Sequence, residues 1–192
     1  MTKLELTDIL KHDLLRYNIV KPLSIFLFLR CYFFYSIPGL KFTIVFRYCQ
    51  YYRRKNRIFF YFLFLWLRRL KYKYGFDISY RATIGKGLYI GHFGGIVIHG
   101  DAVIGENCNL SQGMTIGVLN RGKNTGIPTI GDRVFMGPNC VILGGISIEN
   151  DALIGANAVV TFDVADKAVV AAPLASVISH QGATSYVVLP NS

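Results

Sequence analysis

Residues 130–160 read IGDRVFMGPNCVILGGISIENDALIGANAVV. Counting in sixes through this stretch gives Ile130, Met136, Ile142, Ile148, Ile154 and Val160. The same period runs upstream through Ile78, Ile84, Ile90, Ile96, Ala102, Cys108 and Met114. Glycine follows the apolar position at Gly85, Gly91, Gly131, Gly137 and Gly155. A six-residue period fits neither a 3.6-residue helix nor the two-residue alternation of a strand. It predicts a parallel β-helix over residues 78–163, in which each hexapeptide forms one side of a coil. Three hexapeptides close a turn, so residues 18 apart should stack. One turn cannot bury its own apolar row, so stability must grow by stacking. Glycine after these five apolar anchors suits a corner where a side chain would crowd or φ turns positive.

Between Met114 and Ile130 the chain is ten residues too long for one repeat. That excess, within 118–129, should leave the coil as a loop. Its composition agrees, with Asn120, Gly122, Asn124 and Gly126 among its residues. Long excursions from a strict solenoid tend to carry function.

The 192 residues hold a net charge of +10, unevenly placed. Residues 1–77 contain 15 Lys and Arg against 4 Asp and Glu, whereas residues 78–192 contain 6 against 7. Of the 27 aromatic residues, 21 precede residue 78. The chain therefore divides into a basic, aromatic-rich helical region at 1–77 and a nearly neutral β-helix domain at 78–192. Four helical elements are expected before residue 77: an amphipathic one around Leu4–Leu15, an apolar one opened by Pro22 and closed by Pro38-Gly39, and two more near Leu40–Arg57 and Ile58–Lys73. No segment reaches the ~20 apolar residues of a spanning helix. Arg53, Arg54, Lys55 and Arg57 precede the apolar run Ile58–Leu67, and Arg68, Arg69, Lys71 and Lys73 follow it. Such flanking suits peripheral attachment to an anionic bilayer surface, with packing of the helices on one another or on the coil as the alternative. The run is too apolar for a solvated nucleic-acid groove, so no nucleic-acid partner is expected.

Cys31, Cys49, Cys108 and Cys140 have no framework spacing, and no pair forms a metal-binding motif, so no metal is expected. Met1–Tyr17 lacks the clean apolar core of a signal peptide. The expectation is a chain with reduced thiols on the cytoplasmic side of the inner membrane.

The segments Asp77-Ile78, Ile84-Gly85-Lys86-Gly87, Gly91-His92-Phe93-Gly94-Gly95-Ile96-Val97-Ile98, Gln112-Gly113-Met114-Thr115-Ile116-Gly117 and Ala156-Asn157-Ala158-Val159-Val160 resemble the left-handed parallel β-helix acetyltransferases. The likeness covers a little over half the chain. It points to the serine acetyltransferase branch and its polysaccharide O-acetyltransferase relatives. The resemblance implies a homotrimer, a left-handed coil and acetyl-CoA as acyl donor in a groove between subunits. It implies His92 as general base, two residues after Ile90. An unperturbed imidazole, with a pKa of ~6.5, suits that role near neutral pH. His99 matches no family position and reads as structural, and His12 and His180 lie outside the repeat.

For acetyl-CoA, the resemblance implies contacts at Gly117, Pro138 and Ala156, with Gly117 also a candidate oxyanion donor. Pro138 carries no N–H. The family's C-terminal Pro-Ala-basic turn reads Pro173-Leu174-Ala175-Ser176 here, which leaves Lys167 as a candidate phosphate contact. Two departures bear on the acceptor. The serine enzymes carry a second histidine before the proline that closes the loop, where this chain has Ile127 before Pro128. Their catalytic histidine follows an aspartate, where this chain has Gly91. These departures and the N-terminal region favour a lipid-linked sugar hydroxyl of a capsule, exopolysaccharide or O-antigen intermediate as acceptor. The alternatives are a serine O-acetyltransferase of cysteine synthesis and a non-catalytic scaffold.

Overall fold

The computed structural model describes residues 1–20 and 37–180. The apolar element expected after Pro22, and with it Cys31, lies outside them. Three helices precede the coil among the described residues: α1 (Lys3–Leu15), α2 (Pro38–Tyr52) and α3 (Arg57–Tyr74). Each start has a local cause. Thr2 and Glu5 form a reciprocal capping box on α1. Pro38 opens α2 at its first turn, where a missing N–H costs nothing, two residues ahead of the expected start near Leu40. The Asn56 side chain accepts the Phe59 N–H at the start of α3. Gly75, at φ 69°, ends α3 in the left-handed conformation and turns the chain into the first strand.

Two- and three-residue parallel strands then stack on three faces. The first face holds Phe76–Ile78, Ile96–Ile98, Thr115–Gly117, Val141–Leu143 and Val159–Val160. The second holds Thr83–Ile84, Val103–Ile104, Thr129–Ile130 and Ser147–Ile148. The third holds Tyr89–Ile90, Asn109–Leu110, Phe135–Met136, Leu153–Ile154 and Val169–Val170. The solenoid thus runs from Phe76 to Val170, slightly beyond the expected 78–163. Every anchor named from the sequence is buried.

The stacking register differs from the simple count in one respect. Ile78 pairs with Ile98, Ile84 with Ile104 and Ile90 with Leu110, a step of 20 residues where 18 was expected. Ile98 pairs with Ile116 at 18, and so do Ile130 with Ile148 and Met136 with Ile154. The ladder positions after Ile90 are therefore Ile98, Ile104, Leu110 and Ile116. Ile96, Ala102, Cys108 and Met114 point inward two residues earlier, as a second buried row. Two residues of the ten-residue excess thus sit between Ile90 and Ile98, and only eight leave at the loop. The sequence count missed this because both rows are apolar and equally buried.

The post-anchor glycines also act by one cause only. None of Gly85, Gly91, Gly131, Gly137 and Gly155 has positive φ. A Cβ on Gly85 would lie 2.6 Å from the Gly105 carbonyl carbon in the next coil, so close stacking excludes a side chain there.

The helices dock on the first coil. Phe42, Phe46, Leu63, Leu67 and Leu70 join the apolar core of the β-helix, while Leu6, Leu10 and Leu14 of α1 pack on Leu40 and Ile44. This is the packing alternative, but it uses one side of α3 only. Ile58, Tyr61, Phe62 and Leu65 remain exposed. Among the described residues no helix is long and apolar enough to cross a membrane.

Candidate active site

His92 lies on the edge where the third face turns into the first. It occupies the two-residue widening of the coil, in the connection from Tyr89–Ile90 to Ile96–Ile98, and its side chain is exposed. The connection is held by backbone. Gly94 N–H donates to Tyr74 O at 2.9 Å, Ile96 N–H to Gly75 O at 3.1 Å, and Gly113 N–H to Gly94 O at 2.8 Å. Gly94 and Gly95 have φ of 110° and 64°, which a side chain would strain. The base of the loop is fixed from the helices. The Tyr17 hydroxyl accepts the Ile90 N–H at 3.0 Å and sits 3.3 Å from Ile90 O, to which it donates. Burial pushes the Tyr17 pKa above its ordinary value, so the phenol keeps its proton. Gly39 of α2 meets Ile90 so closely that a Cβ there would fall 2.2 Å from its carbonyl oxygen.

The same edge continues down the coil past Gln112, Pro138 and Ala156. Asn139 N–H donates to Gln112 O at 3.0 Å, and Asn157 N–H to Pro138 O at 2.9 Å. With ~4.8 Å between stacked strands, Pro138 lies about 10 Å and Ala156 about 14 Å below the level of His92. Small residues give this edge a shallow backbone-lined track, in which Ala156 is exposed. Gln112 adds a feature that sequence reasoning did not single out. Its Oε1 is buried with no hydrogen-bond partner among the described residues. A buried amide oxygen without a partner is costly unless a ligand or water supplies a donor. A shallow track of small residues fits the narrow arm of an acyl-CoA.

The structure brings His92, Pro138 and Ala156 to one edge but not Gly117. Gly117 ends the strand Thr115–Gly117, at the opposite edge of the first face, where the loop departs. The loop closes on itself through the antiparallel pair Leu119 and Gly126. It then lies against later coils, with Gly145 N–H to Asn124 O at 2.9 Å and Asn124 Nδ2 to Thr161 O at 2.7 Å. Within one chain, the loop and His92 therefore occupy two different edges.

Other candidates are accounted for locally. His99 is half-buried, and its Nδ1 accepts the Asp101 N–H at 3.2 Å, which serves the corner turn. His12 Nδ1 lies 2.8 Å from Asp8 O in the last turn of α1. Asp77, in the first strand, is paired with Lys71 of α3 at 2.6 Å. Lys167 is exposed, 3.6 Å from Asp166. Among the described residues no group of His, Cys, Asp and Glu could hold a metal ion.

Residues 129–162 and 145–174 match the family model described as the hexapeptide repeat of succinyl-transferase. The serine acetyltransferase of Helicobacter pylori is 34% identical over 128 residues, which cover 66% of this chain and 73% of that one. A serine acetyltransferase of Entamoeba histolytica, solved in complex with cysteine, superposes with a TM-score of 0.72 at 26% identity. That likeness covers 95% of this chain and 64% of the other, so the chain spans just under two thirds of the length of that solved relative. A serine acetyltransferase solved in complex with CoA superposes with a TM-score of 0.69 at 25% identity, covering 88% of this chain and 68% of that one. These findings overturn the expectation of a polysaccharide sugar as acceptor. Its main support was the greasy, basic N-terminal region, and the described helices of that region pack against the first coil, which says nothing about the acceptor.

Proposed function

The chain belongs to the serine acetyltransferase family, and from that premise we propose that it transfers the acetyl group of acetyl-CoA to the hydroxyl of L-serine. The observation that carries the reading is the edge shared by His92, Gln112, Pro138 and Ala156, on a hexapeptide coil like that of the relatives. His92 acts as general base and takes the proton of the serine hydroxyl as its oxygen adds to the thioester carbonyl. The tetrahedral intermediate collapses with cleavage of the C–S bond. The imidazolium returns the proton to the departing CoA sulfur, so O-acetylserine and CoA leave with no net proton change. The exposure of His92 at a widened corner gives both substrates access to its imidazole. The small residues at 138 and 156 leave room for the pantetheine arm. Ile127, half-buried where the loop returns, cannot donate a hydrogen bond to serine as a histidine would, so backbone groups of the loop hold the acceptor.

Three copies related by a three-fold axis complete the site. Each copy presents His92 on one edge and its loop on another, so a cyclic trimer sets the loop of one copy beside His92 of the next and forms three equal sites.

The test is release of CoA from acetyl-CoA by the purified chain, with and without L-serine. Serine-dependent release is expected. The His92→Ala variant, with unchanged circular dichroism, should turn over ~10²–10⁴-fold more slowly, the usual contribution of a general base. Binding of acetyl-CoA without any serine-dependent release would overturn the acceptor, and an active His92→Ala would overturn the mechanism.

A further inference from the structure

The outer face of α3 has a composition that neither the fold nor the proposed chemistry uses. Leu63, Leu67 and Leu70 turn toward the coil and are buried. On the other side, at spacings of three, four and seven, stand Ile58, Tyr61, Phe62, Leu65 and Tyr72. Ile58 is 86% exposed, Phe62 60% and Leu65 58%, values typical of a charged surface and not of large apolar side chains. The 18-residue helix is about 27 Å long, and the apolar band fills its first half. Cations surround that band. From Arg53 to Lys73 the chain holds eight Lys and Arg and no Asp or Glu. Arg54, Lys55 and Arg57 stand exposed at the N-terminal end, and Arg68, Arg69 and Lys73 near the C-terminal end.

We propose that the outer face of α3 docks on an anionic phospholipid surface, with Ile58, Phe62 and Leu65 entering the headgroup–acyl boundary and the flanking Arg and Lys side chains contacting lipid phosphates. The helix lies along the surface and does not cross it. Amphipathic helices of this kind bind through apolar insertion together with attraction to anionic lipid. Charge selects this occupant over a second copy of the chain. A two-fold contact of α3 with α3 would set one cluster of unpaired cations against another, which costs energy. The β-helix domain is nearly neutral as a whole, with 6 Lys and Arg against 7 Asp and Glu, so it presents no excess of negative charge to match the eight cations. An anionic bilayer supplies phosphates at the level of the cations, and the long side chains can reach them while their stems cover apolar surface. The geometry points to a peripheral protein whose first coil and His92 loop sit next to the bilayer-facing helix.

The experiment is flotation of the full chain with vesicles of phosphatidylcholine alone or mixed with phosphatidylglycerol. The chain should float with the mixed vesicles and stay behind with the neutral ones, and added salt should weaken binding without abolishing it. Replacing two cations, Arg54→Gln with Arg69→Gln, should weaken partition by about 30-fold, given the usual contribution of each basic residue near an anionic surface. Phe62→Asp with Leu65→Asp should abolish partition while leaving circular dichroism and CoA release intact, since neither residue touches the site. The molecular mass in solution should not change in either variant. Failure of the full chain to float with mixed vesicles would overturn the proposal. A change of mass on Phe62→Asp with Leu65→Asp would also overturn it, since it would assign the face to a second copy. Because acyl transfer is read separately in solution, loss of partition leaves the proposed activity standing, and loss of activity leaves this proposal standing.

Discussion

Arg47 of α2 and Asp13 of α1 meet inside the joint between the helices and the coil, Nε to Oδ2 at 2.8 Å, with both side chains about 1% exposed. Neither charge is left with only the other. The guanidinium also donates to Ile84 O at 2.7 Å and to Gly85 O at 2.6 Å, and Asp13 Oδ1 accepts the Leu88 N–H at 2.9 Å. One buried pair thus fastens two helices to three backbone groups of the first coil, just ahead of the His92 loop.

Breaking that pair from one side leaves an uncompensated buried charge. Arg47→Ala should therefore destabilise the fold by about 3–5 kcal/mol. Arg47→Met together with Asp13→Leu removes both charges and should cost clearly less, though the backbone groups at Ile84, Gly85 and Leu88 lose their partners. Denaturant unfolding of both variants checks the order. A double variant less stable than Arg47→Ala would contradict it.

Tyr17 holds Ile90, two residues before His92, so its hydroxyl should matter to catalysis without touching substrate. Tyr17→Phe leaves the packing of the ring and removes the partner of the Ile90 N–H, at a cost of about 1–3 kcal/mol. Misplacement of the following loop should lower kcat by roughly ten- to a hundredfold. The KM for acetyl-CoA should stay nearly unchanged, because Pro138 and Ala156 lie further down the coil. A matched rise in KM with an unchanged kcat would mean that Tyr17 serves donor binding instead.

The period-six pattern made the coil legible because burial in a solenoid repeats identically from turn to turn. Residues such as Ile84, Ile142 and Ile154 could be assigned an inward direction from spacing alone. The register around Ile96 could not be read, since two inward rows two residues apart give the same apolar signal. The position of His92, in the turn two residues after Ile90, followed from the period and its candidacy from the family resemblance, but the widening that exposes it was hidden by that ambiguity. The brace at Asp13, Tyr17 and Arg47 was not legible at all. Its members are 34 and more residues from their partners and carry no local motif. The unmet acceptor of Gln112 is likewise a property of packing, invisible in the string of residue types.

The corners of the coil carry their own acid sensitivity. Arg133 grips Asp151 in the next coil with two hydrogen bonds, Nε to Oδ1 at 2.6 Å and Nη2 to Oδ2 at 2.8 Å. The guanidinium holds the Asp151 carboxyl below the usual carboxylate range. A depressed folded-state pKa gives stability that is present above the unfolded value, about pH 4, and is lost as pH falls through the folded value. Asp151→Asn should therefore melt at a lower temperature than the parent at pH 7. The gap should close as the pH drops below about 4, because protonation removes the same charge from the parent. A gap that widens in acid would show that the pair does not act through charge.

Cys108 and Cys140 line the interior, and burial pushes both thiols up to about 11, with Cys49 of α2 pushed to about 12. At pH 8 these sulfurs are protonated and shielded, and the thiolate is the reactive species. In a Cys31→Ser background, a thiol-specific reagent should label the native chain slowly and the unfolded chain rapidly. Rapid labelling of native protein at pH 8 would mean that the coil opens on the labelling timescale.

The separation of His92 from the loop gives the sharpest test of how the site is assembled. A chain carrying His92→Ala keeps its loop, and a chain lacking residues 119–126 keeps His92. Removal of those residues joins positions that the Leu119 and Gly126 pairing already brings together, so the coil itself is spared. Each variant alone should be inactive. If each site takes His92 from one copy and the loop from the next, trimers reassembled from equal amounts of the two will contain intact sites. A site is intact when a loop-deleted copy precedes a His92→Ala copy, which random mixing in a cyclic trimer produces for about one site in four. The mixture should therefore recover about a quarter of the parental activity. A site built within one copy would give no recovery at any mixing ratio, because no single chain in the mixture carries both parts.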